Sequence, residues 1–337
     1  MAEFRLALHI PPFSQKIHHR HRVMLMGSCF TEHMSKQLSL YKFPVLENPN
    51  GILFNPVSVS RSIITYIENK KYTEEELFYF NELWHSWDHH SRYSHPDKAA
   101  ALNLINQSQA DAHEYLQQAD WLIITLGSAF VYEGLETAAG LFQAEKRRGT
   151  VVANCHKVPA NQFRKRLLSM QEVLSALDHL RYRLLQFNPG IKFIYTISPV
   201  RHIRDGLIEN NKSKATLIQA VHQMVEKFEN HYYFPSYELV IDDLRDYRFY
   251  AEDMVHPNYL ATNYVWEHFR AACIDPSSHE VMRELEEINR AMRHRPFNPD
   301  SEAHKRFLSL HLERLRTLQK QYPFLDFTGE NKHFSGA

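Results

Sequence analysis

The chain has 337 residues, 44% of them hydrophobic, and its 39 basic residues are balanced by 39 acidic ones. That length supports a large buried core in one or two domains, and the balanced charge offers no field that would draw the chain to nucleic acid or an anionic membrane. No run reaches the roughly 20 apolar residues of a membrane helix, and Met1–Arg22 lacks the charged and then apolar pattern of a signal peptide, so a cytoplasmic globular protein with a neutral or locally bound substrate is expected.

In chain order, the apolar run Val23–Met26 predicts a strand that stops at Gly27, and a helical pattern follows over Thr31–Leu40. Phe43–Leu46 is a weaker strand, and Val57–Glu68 and Lys98–Gln118 are helices. Trp121–Leu126 is a strong strand, and Gln143–Val152 after it reads as a surface hairpin or long loop. The clearest helix runs from about Asn161 to Phe187, with Phe163, Leu167, Met170, Leu174, Leu177, Leu180 and Leu184 on one stripe, and Asn188-Pro189-Gly190 ends it. Strand Ile191–Ile197, helix Ser213–Phe228, short strand Leu239–Ile241 and helix Asn258–Cys273 complete an alternation that predicts a mainly parallel sheet inside a three-layer α/β/α sandwich.

Beyond Ser277 the sequence becomes charged and helical, with helices expected at Glu280–Arg293 and Glu302–Gln321 around the break at Arg295–Pro299. The expected organisation is a sheet domain over residues 1–275 and a C-terminal helical extension, residues 276–337, packed on it. A dimerisation arm, giving an oligomer through these helices, or a lid is the sharper alternative.

Gly27-Ser28-Cys29 carries the most chemistry. A strand that turns through a glycine into a helix places the next residues at a helix N-terminus, where free N–H groups favour negative charge. Ser28 and Cys29 are both nucleophile candidates there. The three cysteines, Cys29, Cys155 and Cys273, show no disulfide or metal-ligand spacing. Asp253 lies three residues before His256, a spacing that on a turn lets the carboxylate accept from the imidazole Nδ1–H and leaves Nε2 facing a nucleophile. Both motifs belong to the carboxyl edge of the predicted sheet, where such folds bind their ligands.

Gly27-Ser28-Cys29-Phe30, with Asn50–Pro56, Thr125–Ala129, Thr196–His202 and Asp253–Pro257, resembles the GSCFA family within the SGNH/GDSL hydrolase-like group over most of the chain. The resemblance implies a flavodoxin-like α/β/α fold and hydrolysis or transfer of acyl esters, with His256 as base, Asp253 orienting it and Gly51 as a backbone oxyanion donor. Aligned with Gly-Asp-Ser-Leu, the motif puts Cys29 where the attacking serine stands, with Ser28 the alternative. Gly-x-Asn of the parent pattern reads Gly127-Ser128-Ala129 here, so Ser128 or a polar group from another loop is expected to replace the missing amide.

The stretch Trp84–His95 is dense in rings, and its aromatic side chains, His85 and His95 suit a substrate loop. His85, Asp88, His89 and His95 as metal ligands are the rival reading. Arg201 and His202 follow a strand and are expected to contact a polar substrate group, or else to serve in salt bridging or capping. The expectation is an SGNH-like acyl esterase or acyltransferase acting on an acylated carbohydrate or small metabolite, without cofactor or metal. A ligand- or glycan-binding module that has lost ester chemistry is the alternative.

Overall fold

The computed structural model of the protein describes residues 6–135 and 149–335. The chain runs β1 (Val23–Gly27), α1 (Cys29–Leu40), β2 (Val45–Glu47), α2 (Pro56–Ile67), the hairpin β3 (Leu77–Phe80) and β4 (Leu83–Ser86), α3 (Lys98–Gln117) and β5 (Trp121–Leu126). It continues through β6 (Phe130–Gly134), β7 (Val151–Val152), β8 (Phe163–Leu167), α4 (Met170–Phe187), β9 (Lys192–Ile197), α5 (Leu207–Lys227), β10 (His231–Tyr233), α6 (Ser236–Glu238) and α7 (Tyr259–Cys273). The C-terminal helices are α8 (His279–Met292), α9 (Glu302–Gln321) and α10 (Thr328–Ser335).

The central sheet has five parallel strands in the order β10-β9-β5-β1-β2. From β1 the chain steps outward to β2, then returns to the other side of β1 and continues through β5, β9 and β10. The direction therefore reverses between β1 and β5, and their carboxyl ends open the crevice where folds of this order bind ligands.

Period-two alternation divides the strand side chains between two cores. Val23 and Leu25 face a cluster with Phe30, Met34, Leu38, Val265 and Phe269, whereas Met24 and Met26 face Val59, Ile63, Leu177, Leu184 and Leu217. The first cluster also holds Val281, Leu285, Leu315, Leu318, Phe327 and Phe334, so α8, α9 and α10 share the core of the sheet domain. Asn289 Nδ2 donates to Leu40 O at 2.9 Å, and Lys42 pairs with Glu330 at 2.7 Å, which ties the tail to the end of α1.

Two predicted elements differ. The helix expected over 161–187 is divided: Phe163–Leu167 is strand β8, paired antiparallel with β6, and the helix begins only at Met170. Ser169 and Glu172 form a capping box there, the local stop and start signal within the apolar stripe. Leu239–Ile241, expected as a strand, is wound into a π-helical segment, Leu239–Leu244, that continues α6, and β10 is the sheet's edge strand. Leu239 and Val240 are fully buried, and a short buried apolar run looks the same in a helix as in a strand. Of the loop expected at Gln143–Val152, residues 143–148 lie outside the described residues; Val151–Val152 is β7.

The backbone approaches its neighbour closely at the end of β1. Gly27 has φ +144°, and a Cβ on it would lie 2.1 Å from Thr125 O of β5. Its N–H donates to Asn48 Oδ1 at 2.8 Å and its carbonyl accepts from Leu53 N at 3.1 Å. Gly27→Ala is expected to lower the unfolding free energy by roughly 2 kcal/mol or more, measured by chemical denaturation; an unchanged midpoint would show that β1 can part from β5 at no cost.

Candidate active site

The elbow delivers Ser28 in extended conformation, φ −70° and ψ 174°, as the N-cap of α1, and Cys29 as the first helical residue. The Ser28 amide donates to Thr125 O at 3.1 Å. Ser28 Oγ is buried and has no hydrogen-bond partner among the described residues. Asn48 Nδ2, on the residue that holds the Gly27 amide, is also buried without a partner among them. Unmade bonds of this kind cost about 1–3 kcal/mol each and call for an explanation.

The Cys29 thiol is half-buried. Burial, followed by the charge of Glu32 in the first turn of α1, pushes its pKa up. The backbone N–H groups of Cys29 and Phe30 and the Lys214 ammonium pull the other way and do not prevail. The resting group is thus the thiol, not the thiolate that a helix N-terminus favours by itself.

The opposite wall is the end of β5 and the loop after β9. Gly127 is packed so closely that a Cβ on it would meet Phe54 Cβ at 2.9 Å, Ser28 Cβ at 3.3 Å and His202 Nε2 at 3.6 Å. Ser28 and His202 therefore border the same face of Gly127. Burial, then the Lys214 charge, lowers the His202 pKa to about 4, so its ring is neutral at pH 7. Ser128 Oγ lies 3.2 Å from Ser213 Oγ and accepts from Phe130 N at 3.0 Å.

Asp253 and His256 form the predicted pair, with Nδ1 to Oδ2 at 2.6 Å. Asp253 Oδ1 also accepts from the Val255 and His256 amides at 2.9 and 3.0 Å. The His256 amide and then its ring hold the Asp253 pKa down to about 2. Arg201 N donates to Val255 O at 3.3 Å, which fastens this turn to the loop after β9 at the carboxyl edge. Burial and then the Lys36 charge depress the His33 pKa, with His256 adding to the effect.

A cleft of about 770 Å³ opens next to Ser128 and His202. Phe54, Phe130, Tyr132 and Phe163 supply ring faces to it, and Asn154, Lys165 and Asp205 supply polar groups. The Lys165 ammonium pairs with Asp205 and lies 4.8 Å from the Phe130 ring centroid. Cys155 also lines this cleft, with burial raising its pKa to about 11.

Several expected site residues do other work. Gly51 has φ +79° and donates its N–H to Asn48 O at 2.6 Å, and the amides of Gly127 and Ser128 both donate to Phe54 O, at 2.8 and 3.2 Å. None of the three amides is free to hold an oxyanion. His85 is buried, with Nδ1 2.6 Å from Ser94 Oγ and Nε2 2.9 Å from Phe80 O, so its ring is a strut inside the β3–β4 hairpin and not a substrate contact. His95 pairs with Trp84 through the backbone, and its Nδ1 accepts from Asp97 N at 3.0 Å. The Arg201 guanidinium stacks 4.2 Å from the Tyr250 ring centroid and 5.1 Å from that of Tyr247. Among the described residues no three His, Cys, Asp or Glu side chains converge to hold a metal.

Two contributors were missed by sequence reasoning. Asn48 carried only the signal of a turn residue before Pro49. Lys214 lies in an otherwise ordinary helical pattern, and only its 1% exposure marks it.

Because Glu32 raises the Cys29 pKa, Glu32→Gln lowers it. Alkylation of Cys29 by iodoacetamide at pH 8 should become about threefold faster, with the rise in rate beginning at lower pH; peptide mass spectrometry across pH 6–10 measures it, and an unchanged profile would remove Glu32 as a cause.

No curated protein matches the chain. Among solved structures, a "putative platelet activating factor" from Streptococcus pneumonia is similar at 13% identity and a TM-score of 0.38, over 75% of this chain and 83% of that one. A carbohydrate esterase family 3 protein from Talaromyces cellulolyticus is similar at 9% identity and a TM-score of 0.33, over 80% and 98% of the respective chains. The profile of the GSCFA family matches residues 22–269, and that of the GSCFA C-terminal domain matches residues 285–336. The chain belongs to the GSCFA family.

Proposed function

We propose that the protein is an SGNH-like acyl esterase or acyltransferase acting on an O-acylated carbohydrate, with Cys29 as nucleophile and Ser28 as the alternative. The carrying observation is that two chemistry-bearing turns share one sheet edge: Gly27-Ser28-Cys29 at the switch point and Asp253–His256 fastened through Arg201. Asp253 accepts from Nδ1–H and so leaves His256 Nε2 as the basic nitrogen.

In this reading His256 takes the nucleophile's proton as the new bond to the acyl carbon forms, and returns a proton to the departing sugar oxygen. Water or an acceptor hydroxyl then attacks the acyl-enzyme by the same route. The donors left for the oxyanion are the amides at the start of α1 and Asn48 Nδ2, in place of Gly51, Gly127 and Ser128. The adjoining cleft, with ring faces among amide and charged groups, suits a sugar, which has apolar faces and a polar rim.

His256→Ala is expected to lower kcat/KM for a chromogenic acyl ester by about 10²–10⁴-fold, and Cys29→Ala to abolish stoichiometric labelling by an ester probe that Ser28→Ala retains. Turnover unaffected by the loss of His256 would defeat the mechanism. A second reading, a glycan-binding module without ester chemistry, is favoured by the committed amides of Gly51, Gly127 and Ser128. A chain inert to the probe that still binds acetylated oligosaccharides would establish that reading instead.

A further inference from the structure

We propose that the sugar held in the cleft beside Ser128 and His202 carries a negatively charged group, a carboxylate or a phosphate ester, which docks on Lys157 and Arg204; this rests on the cleft being a carbohydrate site. Three cations reach the cleft from three separate segments: Lys157 from the loop between β7 and β8, Lys165 from β8, and Arg204 from the loop after β9. Among the described residues Asp205 is the one carboxylate on its wall, and Lys165 pairs with it. The Lys165 ammonium also lies 4.8 Å and 5.4 Å from the Phe130 and Tyr132 ring centroids. Lys157 and Arg204 are exposed to the solvent that fills the cleft, and no described carboxylate lies within ion-pair distance of either. The chain as a whole balances 39 basic residues against 39 acidic ones, so three cations against one carboxylate is a local arrangement.

A second groove of similar size, about 720 Å³ beside α2 and α4, is balanced within itself. It is lined by Arg61, Arg166 and Arg183 and by three glutamates. Arg166 pairs with Glu133 and Glu172 at 2.7 Å each, and Arg183 with Glu68 at 3.0 Å. The cleft differs in leaving two cations for a ligand, and Lys157 is held in place for one. His156 and Lys157 have φ 48° and 61°, a left-handed pair in a tight turn that Val158 N closes by donating to Cys155 O at 2.8 Å. Side chains other than glycine adopt that conformation at a cost. The buried His156 fixes the turn, with Nε2 2.8 Å from Ser86 O and its amide donating to Asn154 Oδ1 at 2.8 Å. A cation on a fixed turn loses less freedom when it binds. The planar Arg204 guanidinium matches the paired oxygens of a carboxylate or phosphate, and like charges around a concave site focus the field on an arriving anion.

The test is calorimetric titration of the full chain with two matched pairs of sugars, trigalacturonate against galactotriose and galactose 6-phosphate against galactose; the pairs separate carboxylate from phosphate. In 50 mM NaCl the charged member of at least one pair should bind about tenfold more tightly than its neutral partner, and the margin should shrink in 500 mM NaCl. The double variant Lys157→Gln, Arg204→Gln should lose that margin without weakening any binding of the neutral sugar, whereas Arg183→Gln in the balanced groove should keep it. Equal affinity for charged and neutral members overturns the proposal and leaves the carbohydrate reading standing, as does a margin that survives in the double variant or falls equally in Arg183→Gln. Failure of all four sugars to bind overturns both. Titration requires no ester turnover, so the result is independent of whether the chain hydrolyses esters.

Discussion

Everything at the candidate site depends on how closely β1 approaches β5 at Gly27. With no side chain between the Gly27 α-carbon and Thr125 O, β1 stays paired with β5 through its last residue, and the chain turns directly into α1. Asn48 Oδ1, Leu53 N and Thr125 O occupy the backbone groups of the elbow, so its geometry is held at once from the turn after β2, from the segment before α2 and from β5. Preorganisation of this kind is what a reacting site needs, since a reactive group displaced by an ångström loses much of its rate advantage.

The electrostatics of the site are set by burial as much as by partners. Cys29 rests as a thiol, His202 is neutral, and Lys214 holds its proton weakly, and in each case loss of solvent is the largest cause. The Asp253–His256 pair is the contrast, because it is half-exposed and governed by direct hydrogen bonds. The inner groups and the outer imidazole–carboxylate pair thus differ in what sets their charge, desolvation for the first and direct hydrogen bonds for the second. The backbone amides named by resemblance are committed to the turns that build the edge, which leaves the helix N-terminus as the natural place for developing negative charge.

Much of this was legible in the residues. Val23–Met26 ending at Gly27, the strands at Trp121 and Ile191, and the amphipathic helices each carry their own periodicity, which is a local property. The Asp253–His256 hydrogen bond was legible for the same reason, since three residues of one turn define it. The strand Phe163–Leu167 was hidden because Phe163 and Leu167 fit the helical stripe that really starts at Met170. The hairpin β3–β4 was hidden because its turn, Asn81-Glu82 with φ 46° and 64°, has a glutamate where a glycine is the usual signal.

The sequence by itself determined the alternation of strands and helices, the elbow with its two candidate nucleophiles and the histidine with its aspartate, because each arises from residues adjacent in the chain. Only the tertiary structure decided which groups share the carboxyl edge, that Gly51, Gly127 and Ser128 spend their amides on the fold, that His85 is a strut, and that Lys214 lies buried between Gly127 and Ser198. Those outcomes depend on contacts between segments distant in sequence and on desolvation, and neither is encoded in any local window of residues.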